Sequence, residues 1–140
     1  MNVKTSKVVF SFLTLMMIGS VAHAFGNACK RVNFSVDNNY GKEITVTRFE
    51  LFSESEGRFL NEDFRNVVVP VGAKDFAVRR GETIEHAEND KITEIIVHFD
   101  EFVDTDPDGP GHWVSRTRHD KSVTDPICRA DRWYKATIER

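Results

Sequence analysis

From Lys30 onward, apolar and polar residues alternate with a period of two, not with the spacing of a helix. Val32, Phe34 and Val36 fall on one side, and Arg31, Asn33 and Ser35 on the other. Asp37 to Gly41 is a turn cluster of Asp, Asn and Gly. Between Glu43 and Phe52 the pattern returns, but its phase slips. Ile44 and Val46 share one face, whereas Phe49 and Leu51 share the other. A β-bulge or sharp bend near Thr47–Arg48 brings both pairs inward. Arg58 to Phe64 reads equally as one helical turn or an irregular strand. Asn66 to Gly72 is β-branched and interrupted by Pro70, which cannot donate to a ladder. Asp75 to Arg79 alternates with Phe76 and Val78 inward, Arg80-Gly81 turns, and Glu82 to Asn89 is a loop or short edge strand around Ile84.

The strongest β signal lies between Ile92 and His119. Ile92 to Val103 is a long strand, Asp104 to Gly111 an acidic turn rich in Pro and Gly, and His112 to His119 a return strand. An eight-residue loop sets Val103 opposite His112, Asp100 opposite Ser115 and His98 opposite Thr117. His98, Asp100, Ser115 and His119 then share one face with Ile96, Phe102 and Trp113. Arg132 to Glu139 is a final strand, with Tyr134, Ala136 and Ile138 on one face. No apolar stripe runs three helical turns. The pattern predicts an all-β fold: a single two-layer sandwich of about seven or eight mostly antiparallel strands, with a closed β-barrel as the alternative.

The first 24 residues carry a different signature. Lys4 and Lys7 precede an apolar run from Val8 to Ile18, and Ala22-His23-Ala24 has small residues where a signal peptidase cuts. The run is too short to cross a bilayer. Residues 1–24 are expected to be a cleaved secretory signal and 25–140 the folded domain, exported to a periplasm or the cell exterior. Lipidation at Cys29 is disfavoured, because Gly26 stands where an aliphatic residue is needed. Loss of Lys4 and Lys7 takes the net charge from −3 to −5. An acidic chain without a basic cluster points away from nucleic acid and anionic membranes. After the leader, no second apolar span follows.

Cys29 and Cys128 are the two cysteines. In an oxidising compartment such a pair predicts a disulfide, here closing a loop of nearly the whole domain. No Cys-x-x-Cys supports redox chemistry.

Three constellations carry candidate chemistry. Asp104, Asp106 and Asp108, followed by Gly109, match the opening of a calcium loop, in which alternate carboxylates surround a hard cation. The twelfth position of such a loop, Ser115, is not the required Glu, and the flanks are strands. His98, Asp100 and Ser115 on one strand face have the composition of a hydrolase triad, without the G-x-S-x-G elbow or an evident oxyanion hole. His98 and His119 on adjacent strands are the remaining metal candidates, without an H-x-H or H-E-x-x-H spacing. Trp113, His98 and His119 are the candidate contact residues, since aromatics beside a polar face mark protein or sugar contacts.

The expectation is a non-enzymatic exported binding protein acting on a protein partner. The alternatives are a calcium-assisted lipid- or carbohydrate-binding module using the 104–111 turn, and a hydrolase using His98, Asp100 and Ser115.

Overall fold

A computed structural model of the protein describes residues 28–85, 87, 89–104, 108–120, 123 and 127–140. The expected leader, residues 1–24, lies outside the described residues.

Among the described residues, seven strands form two sheets. They are β1 (Cys29–Asn39), β2 (Ile44–Ser53), β3 (Arg58–Val69), β4 (Phe76–Ile84), β5 (Ile92–Val103), β6 (His112–Asp120) and β7 (Trp133–Glu139). A three-stranded sheet has the order β4-β1-β7, and a four-stranded sheet the order β3-β2-β5-β6. The sheets pack as a sandwich and do not close into a barrel. All pairings are antiparallel except β1 with β7, which run parallel from Asn33–Trp133 to Asn39–Glu139.

Alternation fills the space between the sheets. Val32, Phe34 and Val36 of β1 and Tyr134, Ala136 and Ile138 of β7 are buried against Phe49, Leu51, Val97 and Phe99 of the other sheet. Phe34 lies at the centre, 5.0 Å from Phe49 and 5.1 Å from Phe64 between ring centroids.

The slip in β2 is a bulge. Pairing with both β3 and β5 shifts between Val46 and Arg48, so Ile44 and Val46 point inward on one side of Thr47, and Phe49 and Leu51 on the other. Opposite the bulge, β3 runs from Asp63 to Val67 while β2 advances only from Arg48 to Val46. This extra length moves the inward phase of β3 from Leu60 and Phe64 to Val67 and Val69. Arg58 to Phe64 is therefore strand, and Pro70 follows directly after the strand's end.

One predicted turn is strand instead, and another begins later than predicted. Arg80-Gly81 is a bulge within β4, with Gly81 at φ 74°, and its amide donates to Asn33 Oδ1 at 3.1 Å. At the Asp37–Gly41 cluster, β1 continues through Asn39. Asn38 is fully buried because its side chain serves the surrounding backbone. Its amide nitrogen donates to the carbonyls of Lys42, Pro70 and Val69, and its Oδ1 accepts from the Tyr40 amide. A buried amide needs such partners, and here they tie the turn after β1 to the end of β3.

Cys29 and Cys128 form the disulfide, with Cα atoms 6.1 Å apart. Asn89 donates its amide to the Cys128 carbonyl at 3.0 Å, and the Cys128 amide donates to the Asp90 carbonyl at 2.8 Å. Asp90 also accepts from Ser53 Oγ and from the Ser55 amide. The bridge therefore holds the start of β1, the approach to β5 and the β2–β3 turn at one end of the sandwich.

Candidate functional site

The outer face of the four-stranded sheet brings the candidate side chains together. The expected hairpin register is the observed one: Val103 pairs with His112, Asp100 with Ser115, and His98 with Thr117. Ile96, His98, Asp100 and Phe102 alternate with buried Val97, Phe99 and Glu101, so they point to solvent. Ser115 and Trp113 lie beside Asp100 and Phe102 on the same face.

The face has three zones. At one end, Phe52 packs edge-on against Phe59, and Phe59 meets the His119 ring at 6.2 Å. In the middle, the bulge in β2 leaves a hollow of about 260 Å³ lined by Thr47, Arg48, Asp63, His98, Phe99, Asp100 and Ser115. At the far end, Phe102 and Trp113 form a T-shaped pair with centroids 5.5 Å apart. Trp113 is 59% exposed and Phe102 45%. The backbone of Gly111 lies against the Phe102 ring, where any Cβ would collide with it.

All three triad candidates line the hollow, but they are not bonded as a triad. Ser115 Oγ donates to Asp100 Oδ1 at 2.6 Å. His98 Nε2 lies 2.8 Å from Glu50 Oε1. Arg48 Nη2 closes the group, 2.9 Å from the same Glu50 oxygen and 3.2 and 3.4 Å from His98 Nε2 and Nδ1. The serine is bonded to the acid and the histidine to a glutamate and an arginine. These bonds tie each side chain to a neighbour other than the one a triad needs, and no nucleophile is held by a base.

His98 and His119 are not brought to a common ligand. His119 faces Ile96 across the pair, and its Nε2 lies 2.6 Å from Glu94 Oε2. Among the described residues, no group of three His, Cys, Asp or Glu side chains is placed to hold a metal. Asp104, at the start of the turn, and Asp108, within it, are exposed, and Asp106 lies outside the described residues.

Arg48, Glu50, Thr47 and Asp63 belong to this site, although the hairpin alone does not point to them. They arrive from β2 and β3, and the one sequence signal for them is the phase slip at Thr47–Arg48.

Behind this face, Glu101 occupies an inward position with 4% exposure. Tyr40 Oη donates to its Oε1 at 2.8 Å, Arg116 Nε at 3.0 Å, and Lys42 Nζ to Oε2 at 3.3 Å. The Tyr40 bond, then those of Arg116 and Lys42, outweigh desolvation and hold the Glu101 carboxyl below its usual range. The shelter comes from the donors themselves, at the end of the sandwich, and not from depth. Glu62 is the opposite case. It takes the inward phase of edge strand β3, opposite Phe49. Burial, then the charges of Glu82, Asp63 and Glu85, push its carboxyl up to about 7.

No protein-family model matches the chain, and no curated protein or solved structure matches it at a significant level.

Proposed function

We propose that the protein is an exported, non-enzymatic binding protein whose contact surface is the outer face of the four-stranded sheet, and that its partner is a protein. The observation that carries this reading is the Phe102–Trp113 pair. Two large aromatics, both strongly exposed, stand together on a rigid hairpin beside a charged hollow. Anchors of this type, flanked by polar side chains, supply most of the energy at protein contacts. The disulfide suits the oxidising compartment that the N-terminal signature predicts.

The hydrolase reading has less support, since Ser115 and His98 are each committed to another residue. The calcium reading rests on the turn between β5 and β6, which flanks the aromatic pair and would place a cation at the edge of the same surface.

The test is capture from the native exported fraction with the purified oxidised protein, in calcium and in chelator. A partner retained by the native protein and lost with Trp113→Ser and Phe102→Ser supports the reading. Equal capture by the double variant removes this face as the contact surface. Turnover of ester, glycan or peptide substrates, abolished in Ser115→Ala, would replace the reading with the enzymatic one.

A further inference from the structure

We infer that the hollow beside Phe102 and Trp113 is a saccharide subsite, taking one neutral sugar ring without a bound cation. The inference rests on the outer face being the contact surface and names the chemistry read there.

Charge is the first consideration. The cation in the hollow, Arg48, is already paired with Glu50 at 2.9 Å. Asp63 and Asp100 line the same space. An anionic ligand would meet two carboxylates, with the Arg48 charge already offset by Glu50. A cationic ligand would meet the Arg48 guanidinium. A neutral ligand carrying many hydroxyls avoids both penalties.

Hydrogen-bonding capacity is the second. Asp100 accepts the Ser115 hydroxyl's hydrogen bond on Oδ1, which fixes its carboxylate and leaves its remaining lone pairs for outside donors. Asp63, exposed on β3 with its Oδ1 4.0 Å from Arg48 Nε, adds a second carboxylate acceptor at the far rim of the hollow.

Shape is the third. Trp113 and Phe102 stand two residues along their strands from Ser115 and Asp100, on the same face, so the aromatic pair is the next row of the sheet. A pyranose has an apolar C–H face and a hydroxyl-bearing rim. The ring face suits the Trp113 indole, and the rim suits the Asp100 carboxylate in the next row. The hollow, about 260 Å³, falls below the range of sites that enclose drug-sized molecules, and its size suits a single ring. The ring can belong to a free glycan or to a glycan on the partner protein, with the same contacts in either case.

The oxidised full protein carrying Trp133→Phe tests this, because Trp113 is then its one tryptophan. It is titrated to 20 mM with neutral oligosaccharides of glucose, mannose, galactose and N-acetylglucosamine, and with heparin as the anionic comparison. The expected result is saturable change in Trp113 emission with at least one neutral sugar, together with amide shifts at Asp100 and Ser115. Affinity should fall at least tenfold in Asp100→Ala, and amide shifts should vanish in Trp113→Ala, while both variants melt as the parent does. Neither calcium nor chelator should change the affinity. Silence from every neutral sugar overturns the inference, as does binding that ignores both substitutions, or binding by heparin alone. Enzymatic deglycosylation of a captured partner separates the two sources: release assigns the ring to the partner's glycan, and free-sugar binding without release assigns it to a free glycan. Partner capture that needs Trp113 but occurs without any sugar response would sink the sugar inference and leave the protein-binding reading standing.

Discussion

Tyr40 donates its phenolic hydroxyl to Glu101 Oε1 at 2.8 Å, and so joins the turn after β1 to an inward carboxylate on β5. The contact also raises the Tyr40 hydroxyl above its ordinary value, through burial first and then through Glu101 itself. Removing Tyr40 takes away one of three donors to the carboxylate, whereas removing Glu101 leaves all three without their acceptor. Tyr40→Phe should cost about 1.5–3 kcal/mol, the range for a hydrogen bond to a charged group. Glu101→Ala should cost at least as much, because Arg116 and Lys42 lose their acceptor as well. Urea unfolding measures both, and a loss under 0.5 kcal/mol (by estimate, about the noise of a surface change) would mean that water replaces the carboxylate.

The two shifted glutamates oppose each other with pH. Glu62 has its folded value raised from 4.5 to about 7, so the folded state binds more protons than the unfolded state between those limits. Stability should therefore fall as pH rises through that window, by ~1–2 kcal/mol once solvent screening is allowed for. Glu101 is depressed, so its contribution is present above its unfolded value and is lost as pH drops through its folded one. The melting temperature should peak in mildly acidic solution. Glu62→Gln should flatten the neutral limb of that curve and leave the acid limb in place.

The Cys29–Cys128 bridge closes a loop spanning 99 residues. In the chain-entropy account such a loop stabilises by about 4–5 kcal/mol. A reductant should lower the melting temperature sharply, and titration of the exported, unreduced protein should find no free thiol. Two thiols in that titration would refute the pairing.

The cation reading of the 104–111 turn has its own signature. A ligand that binds only the folded state at a hundred times its Kd adds about 2.7 kcal/mol of stability. Calcium should then raise the melting temperature, and Asp104→Asn with Asp108→Asn should abolish the rise. Identical melts in calcium and in chelator would remove this reading.

Local pattern carries most of the fold. The hairpin register is legible because one face of β5 must be buried, and an eight-residue loop then leaves a single pairing. The bulge at Thr47 is legible for the same reason, since four apolar residues change phase over ten positions. The fates of Arg80-Gly81 and Asn38 are not, because each depends on a partner far away in the chain. Gly81 lies beside Asn33, and Asn38 reaches Lys42, Val69 and Pro70. The site divides in the same way. Its β5 and β6 members follow from alternation within one hairpin. Arg48, Glu50 and Asp63 come into view only when β2 and β3 are set beside β5, and they decide where the His98 hydrogen bonds go.

The parallel pairing of β1 with β7 has a mechanical consequence. When the chain is pulled from its two ends, β1 and β7 are dragged past each other lengthwise, and the seven residue pairs from Asn33–Trp133 to Asn39–Glu139 bear the load side by side. The bond from Cys29 to Cys128 carries the tension past everything between them. In the oxidised protein only the tail that includes β7 can lengthen. The sheet face with the aromatic pair, carried on β5 and β6, stays off the line of force.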